Sequence, residues 1–115
     1  MEAKDYEAIG RIYRSIVALS EMAAKNHLYV GGGIDKYGEF QLSVYDENVD
    51  VRYFDTSVYA VIPAAFDAIR AEINTVKGFI AGWAKAREIA EKAAKQPDVE
   101  FGPLEEVKPK EQEAE

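Results

Sequence analysis

Residues 27–46 read HLYVGGGIDKYGEFQLSVYD and hold three consecutive glycines between two runs of strand-forming residues. In the second run the apolar residues Phe40, Leu42 and Val44 alternate with more polar ones. An apolar period of two is typical of a β-strand that buries one face. We therefore predict two antiparallel strands in this stretch, joined by a tight loop that ends at Gly38.

The tight loop also predicts how the two strands pair. If residues 36–38 form a three-residue loop, Gly32 lies opposite Leu42 and the apolar side chains of both strands share one face. A shift of one residue would send each of them to the wrong face, so the register is strongly specified. Gly32 then faces the core, where a helix can pack closely against it. Gly31 and Gly33 face outward.

A third short strand is predicted after a two-residue turn at residues 47–48. In this register Val44 lies opposite Val51, and Leu42 lies opposite Tyr53. Two independently chosen turns therefore bury the same face of the sheet. This agreement predicts a three-stranded antiparallel meander.

Amphipathic helices are predicted on both sides of the meander. From Asp5, a suitable N-cap residue, to about Lys25, apolar residues recur at spacings of three and four. A longer run with the same spacing follows Pro63 and continues to about Lys95. Proline favours the first turn of a helix, so this second helix either begins at Pro63 or is kinked there. Gly78 is an expected point of breakage, because glycine weakens a helix interior.

The predicted fold class is α+β with the order α-β-β-β-α. A three-stranded antiparallel meander packs on an N-terminal helix and on a long C-terminal helix, which is broken if Gly78 ends its first half. Residues 1–96 form this single domain, and residues 97–115 form a disordered acidic tail. The candidate N-cap residues ahead of the second helix are Asp55, Thr56 and Ser57.

The net charge of −7 is concentrated in two parts of the chain. Residues 35–55 hold six acidic and two basic residues, and residues 97–115 hold seven acidic and two basic ones. Nucleic-acid binding depends on Lys and Arg that neutralise phosphates, so direct binding of nucleic acid is not expected. The sequence shows no cysteine, no apolar run of membrane-spanning length and no secretory signal. We expect a cytoplasmic protein that does not act at a membrane.

The sequence features that suggest chemistry are all incomplete. Phosphate-binding glycines lie between a strand and the N-terminus of a helix, whereas a second strand follows Gly33. His27 is the only histidine, and its neighbours in sequence supply neither a partner for a general base nor a zinc site. The acids of residues 46–50 lack the glycine and the glutamate that a calcium loop needs. We therefore predict a non-enzymatic protein with no catalytic residue, metal or cofactor.

A partner-binding surface is predicted on the outer face of the meander. Two open glycines there are framed by aromatic side chains, with acids at the rim, and this composition suits a protein surface better than a nucleic acid. The predicted partner-binding residues are Tyr29, Gly31, Gly33, Tyr45, Glu47, Asp50, Arg52 and Phe54.

The second helix is apolar around most of its circumference near Trp83, which leaves two interpretations open. Either the surplus surface forms a homodimer, since symmetric dimers are the commonest oligomers, or the chain is a monomer whose helix folds back at Gly78. The oligomer-interface residues of the dimer are Val76, Phe79, Ile80 and Trp83.

Three functions are compatible with these features. The first is a non-enzymatic protein-binding module or regulator. The second is a small acidic inhibitor, of the kind that phages encode, whose carboxylates mimic nucleic acid and block a DNA- or RNA-binding enzyme. The third is a carrier of a small ligand with a pocket near Gly32, between helix and sheet.

Overall fold

A computed structural model describes residues 1–48 and 51–95 of the chain. The order of its elements confirms the predicted α+β fold, α-β-β-β-α, with one very short additional strand. The predicted acidic tail lies outside the described residues. The elements are α1 (Ala3–Ala24), β1 (Leu28–Ile34), β2 (Glu39–Asp46), β3 (Arg52–Asp55), β4 (Tyr59–Ala60), a 3₁₀ turn (Pro63–Ala65) and α2 (Phe66–Ala94).

Strand β2 is the centre of an antiparallel sheet of order β1-β2-β3. Strand β1 pairs with it in the predicted register, with Gly32 opposite Leu42. The loop between the two strands ends at Gly38, whose φ of 75° is the predicted left-handed conformation. The carboxylate of Asp35 accepts two backbone amide hydrogen bonds in the same loop. Strand β4 pairs with the first two residues of β2.

The connection before β3 is longer than the predicted two-residue turn at residues 47–48. The amide of Asp46 donates a hydrogen bond to the carbonyl of Val51 at 2.9 Å, so residues 47–50 lie between the paired positions. Val51 is exposed rather than buried. The prediction that Val51 pairs with Val44 on the core face is therefore wrong.

A β-bulge then shifts the register of β3 once more. Tyr45 pairs with Arg52, but the next pair joins Val44 to Phe54, so Tyr53 is an extra residue on the bulged strand. The predicted pairing of Tyr53 with β2 is wrong for this reason. The alternation of apolar residues does not reveal an inserted residue, and the insertion moves Phe54 onto the core face.

The core lies between the sheet and both helices. In β2 the alternate residues Phe40, Leu42 and Val44 have no exposed surface. They form one cluster with Leu28 of β1 and with apolar residues of α1 and α2, so both helices cover the same face of the sheet, as predicted. The helical members of the cluster are Ala8, Ile12, Leu19, Ala23, Phe66, Ile69, Ile73, Val76 and Ile80.

Helix α1 begins earlier than predicted, and it buries only some of the apolar residues on its predicted core face. Its N-cap is Glu2, while Asp5, the predicted N-cap, lies in the first turn and accepts a hydrogen bond from the Glu2 amide at 2.9 Å. Ile12 is buried, yet Tyr6 and Tyr13 of the same apolar run are exposed. The helix therefore presents aromatic side chains outside the core.

Helix α2 is continuous from Phe66 to Ala94, so the expected break at Gly78 is wrong. Gly78 lies on the exposed side of the helix, and Val76 and Ile80 on either side of it are buried in the core. This packing outweighs the cost of about 1 kcal/mol that glycine imposes on a helix interior. Pro63 lies in the 3₁₀ turn ahead of the helix, in agreement with the alternative in which the helix begins near this proline.

The chain divides into two compact units, Met1–Ala84 and Lys85–Glu115. The described residues of the second unit carry exposed ion pairs between side chains one helical turn apart, Arg87 with Glu91 at 3.1 Å and Lys92 with Glu88 at 3.7 Å. Such pairs stabilise a helix by a few tenths of a kcal/mol each. All strands of the sheet belong to the first unit.

Position 32 requires glycine because of the backbone conformation there, and not because a helix packs against it. Its φ is +88°, and a Cβ at this position would lie 2.3 Å from the carbonyl oxygen of Gln41 on the neighbouring strand. The contact is with rigid backbone, which has no room to move away. The strand pair therefore closes around a residue without a side chain.

Replacing Gly32 with alanine tests this interpretation. We expect Gly32→Ala to lower the free energy of unfolding by about 2–4 kcal/mol, since backbone strain and steric overlap add. The matched control is Gly38→Ala. Gly38 also has a positive φ, +75°, but an added Cβ there would meet open space, so the free energy of unfolding should fall by only about 1–2 kcal/mol. Equal losses in urea unfolding would show that the overlap with Gln41 does not matter.

Thr56 joins the sheet instead of capping a helix. Its amide donates to the carbonyl of Leu42 at 2.9 Å, and its hydroxyl oxygen accepts the Leu42 amide, also at 2.9 Å. Thr56 is buried, so water cannot replace either bond. The side chain thus extends the pairing of β2 beyond the end of β3.

Thr56→Val should therefore destabilise the fold by about 1–3 kcal/mol, because it leaves the buried Leu42 amide without its acceptor. Thr56→Ser keeps the acceptor and removes one methyl group, for an expected loss of about 1 kcal/mol or less. Urea unfolding of the two variants measures the difference. A valine variant as stable as the serine variant would contradict this role.

Candidate functional site

The face of the sheet opposite the helices is the candidate site, and we call it the outer face. It is formed by the residues that alternate with the buried ones in β1 and β2, together with Arg52, the partner of Tyr45 in β3. Four predicted partner-binding residues of β1 and β2 lie here, as expected. The residues of the outer face are Tyr29, Gly31, Gly33, Gln41, Ser43, Tyr45 and Arg52.

Two stacked tyrosines dominate one end of the outer face. The rings of Tyr29 and Tyr45 lie 4.8 Å apart at an interplanar angle of 9°. Gly31 lies beside the stack, since a Cβ there would be 3.0 Å from the ring of Tyr45. Tyr29 remains 45% exposed. The missing side chain of Gly31 therefore lets two rings lie flat on the sheet and still present aromatic surface to solvent.

A cavity of about 320 Å³ lies beyond the tyrosines, above the last two glycines of the triplet. The side chains that point into this side of the sheet are small or polar, and an added Cβ at Gly33 would meet no atom within 4 Å. This cavity is not the pocket predicted between helix and sheet near Gly32, because it opens on the outer face and no helix residue lines it. Its lining residues are Gly32, Gly33, Ile34, Asp35, Glu39, Phe40, Gln41, Ser43 and Val58.

Val58 reaches the cavity because Glu72 of α2 holds the segment before β4. One carboxylate oxygen of Glu72 accepts hydrogen bonds from the Ser57 amide at 3.2 Å and from the Tyr59 hydroxyl at 3.0 Å. These two contacts bracket Val58 in sequence. Sequence reasoning missed both Val58 and Glu72, because their proximity depends on tertiary packing and not on a local pattern.

A polar group borders the cavity on the β3 side. The hydroxyl of Ser43 donates to the carboxylate of Asp55 at 2.5 Å, and the same carboxylate forms an ion pair with Arg52 at 3.2 Å. Ser43 is only 9% exposed, so its hydrogen bond matters for the sheet. The positive charge of Arg52 is thus largely balanced within the protein.

Several acids of the described part of the meander form local contacts. Glu47, a predicted partner-binding residue, lies 2.9 Å from Nδ1 of His27, and its amide donates to the His27 carbonyl. The sequence had suggested no partner for this histidine, because Glu47 is distant along the chain. The carboxylate of Asp46 accepts hydrogen bonds from the Asn48 amide and the Tyr53 hydroxyl. Asp50 lies outside the described residues.

Phe54 does not belong to the outer face, and this prediction is wrong. Its ring packs on Phe79 of α2, with centroids 5.7 Å apart. The ring of the neighbouring bulge residue Tyr53 packs on Trp83, with centroids 4.8 Å apart. The bulge therefore directs two successive aromatic side chains of β3 toward the same helix.

The predicted oligomer interface on α2 is also corrected in part. Val76 and Ile80 have no exposed surface within a single chain, so their side chains are unavailable to a second subunit. Phe79 and Trp83 are half-buried and pack against the same core. Tyr53 and Phe54 cover part of the apolar surplus that the sequence suggested on this helix.

Comparisons with protein-family models, with curated proteins and with solved structures found no match to this chain. Among residues 1–48 and 51–95, acids and histidine form no group of three or more that could hold a metal ion. In the same part of the chain, neither helix is long and apolar enough to cross a membrane.

The contact between Tyr59 and Glu72 should be visible in an alkaline titration. The hydrogen bond to Glu72, with partial desolvation and the nearby negative charge, raises the pKa of Tyr59 above its ordinary value of 10.0. The contact therefore stabilises the fold fully below pH 10, and this stabilisation is lost as the pH rises through the raised pKa. We expect Glu72→Ala to shift the ionisation of one tyrosine to lower pH, measured by the absorbance of tyrosinate.

The matched control for this titration is Glu88→Ala. Glu88 also lies on α2, but its carboxylate pairs with lysines. Its removal should leave the tyrosine titration unchanged. Identical titrations of the wild type and Glu72→Ala would contradict the role of Glu72 in holding the segment that carries Val58.

Proposed function

We propose that this protein is a non-enzymatic protein-binding module that engages its partner through the outer face. The observation that carries the proposal is the stacked pair Tyr29 and Tyr45, which lies beside a cavity on the sheet face opposite both helices. Aromatic side chains held rigid by neighbours lose little conformational entropy on binding, and tyrosine is enriched at the centres of protein interfaces.

The geometry supports a partner that presents a protruding side chain. The tyrosine stack offers a flat apolar platform, and the cavity of about 320 Å³ next to it has the size of a pocket for one large side chain. Gln41, Ser43 and Glu39 supply hydrogen-bonding groups around this pocket. A platform, a pocket and a polar border are the usual parts of a protein interface.

The alternative of nucleic-acid mimicry has less support from the same surface. A mimic needs carboxylates spaced along one face like phosphates. Here Asp35 closes a loop, Glu47 pairs with His27, and Asp55 pairs with Arg52 and Ser43. Two of these three carboxylates, those of Glu47 and Asp55, have a basic side chain as partner. Exposed pairs of this kind contribute little attraction at a distance.

A capture experiment with matched variants tests the proposal. Full-length protein on a solid support is exposed to a lysate of the cells in which the chain is made, at low and moderate salt. We expect one partner that persists at moderate salt and whose affinity falls at least tenfold, about 1.4 kcal/mol, for the double variant Tyr29→Ser with Tyr45→Ser. Mass spectrometry identifies the partner, and calorimetry measures the affinities.

The control removes two exposed tyrosines from another surface. Tyr6 and Tyr13 lie on α1 and are 60% and 48% exposed, so Tyr6→Ser with Tyr13→Ser changes the composition equally and should bind normally. A partner whose affinity does not change in the Tyr29→Ser, Tyr45→Ser variant would contradict the proposal. A partner lost on raising salt and on Glu47→Lys would instead support mimicry of nucleic acid.

A further inference from the structure

Strand β1 forms one edge of the sheet, and its outer side is open in the part of the chain that the structure describes. The sheet order places β2 on one side of β1 only. The strand has seven residues, LYVGGGI, with no charge and no proline. Natural proteins usually protect an edge strand with charges, proline or a covering element, because its free N–H and C=O groups pair readily with another strand.

The hydrogen bonds at the two ends of β1 show which residues face the open edge. The amide of Asp35 donates to Glu39, and the amide of Glu47 donates to the carbonyl of His27. Residues with odd numbers in β1 therefore point their backbone groups toward β2, because the groups alternate along an antiparallel strand. The residues whose N–H and C=O groups point away from β2 are Leu28, Val30, Gly32 and Ile34.

These four residues are self-complementary in one antiparallel register. When two copies of β1 are centred on Gly31, Leu28 of each copy lies opposite Ile34 of the other, and Val30 lies opposite Gly32. Every free backbone group of the edge then has a partner, for up to about eight hydrogen bonds. The apolar side chains of Leu28, Val30 and Ile34 continue the core face from one copy to the next.

The outer face also tolerates this register. Tyr29 of one copy lies beside Gly33 of the other, and a Cβ at Gly33 would meet open space, so the tyrosine stack remains as it is. At the centre Gly31 meets its own copy, and neither has a side chain to collide.

The charges near β1 suit the same arrangement. An antiparallel pair brings Lys36, just after β1, toward the start of the partner strand, where Glu47 lies beside His27. The strand itself is neutral, so no like charges meet along it.

We propose that two copies of this chain associate through their β1 edges into one continuous antiparallel sheet, centred on Gly31 and with two-fold symmetry. Such an interface is isologous, as in most homodimers, and it uses strand addition, a common mode of recognition. It is independent of the partner-binding role of the outer face. In the dimer, the two outer faces form a single surface with two tyrosine stacks and two cavities.

Amide hydrogen exchange of the wild-type protein tests the proposal without any substitution. In a monomer the amides of Gly31 and Gly33 are protected by β2, whereas those of Val30 and Gly32 face solvent. We expect Val30 and Gly32 to be protected as well at concentrations where light scattering gives twice the chain mass of 12.8 kDa. On dilution to the monomer, protection of these two amides should fall at least tenfold, while Gly31 and Gly33 stay protected.

A cysteine substitution tests the register. Gly31→Cys places the new thiols opposite each other in a non-hydrogen-bonded pair, about 4.5 Å apart at Cα, which is within the range of a disulfide. Mild oxidation should yield a covalent dimer. Gly82→Cys, on the open surface of α2, is the control and should remain mostly monomeric under the same conditions. Circular dichroism checks that both variants are folded.

Three results would overturn the proposal. One is a monomer at all concentrations with exchanging Val30 and Gly32 amides. Another is a dimer in which these two amides still exchange freely, since the interface would then lie elsewhere. The third is protection of both amides in the monomer, or only after another protein is added, because a different strand would then occupy the edge.

Discussion

The burial of alternate residues in β2 is the constraint on which the rest of the structure depends. Phe40, Leu42 and Val44 have no exposed surface, and the pleat of a strand then turns the residues between them to the opposite side. Gln41, Ser43 and Tyr45 reach the outer face for this reason. One local pattern thus places the helices on one side and the candidate site on the other. The strand pairing of β1 follows, because only one register keeps its apolar residues on the helical side.

The sequence predicts those parts of the fold that local chemistry determines. The β1–β2 pair is confirmed because the left-handed Gly38 and the apolar alternation independently require one register. The arrangement of β3 could not be predicted, since the bulge at Tyr53 inserts a residue that no propensity marks. The continuity of α2 through Gly78 was missed as well. The packing of Val76 and Ile80 keeps the helix intact there, because the burial of two such side chains stabilises it by more than the roughly 1 kcal/mol that a glycine in the helix interior costs.

In the candidate site too, the sequence predicts what local chemistry determines and misses what depends on tertiary contacts. The positions of Tyr29, Gly31 and Tyr45 follow from counting residues along two paired strands. The strand register already places both tyrosines side by side on the outer face, and the structure adds that their rings stack. By contrast, the wall of the cavity formed by Val58 depends on Glu72, and the partnership of His27 with Glu47 depends on where β2 ends. Contacts between residues distant along the chain carry no signature in a single sequence, and these are the ones that shape the polar surroundings of the site.

The alternation in β2 also has a consequence for how this protein can evolve. Residues that specify the fold and residues proposed to contact a partner occupy different positions of the same strand, so a substitution at Tyr45 can change the proposed binding surface without repacking the interior. Ser43 and Gln41 are exceptions, because the Ser43 hydroxyl donates to Asp55 and the Gln41 side-chain amide donates to the Thr56 carbonyl. At such positions of the outer face, selection can act with little effect on stability, as it does on surface loops carried by a rigid scaffold.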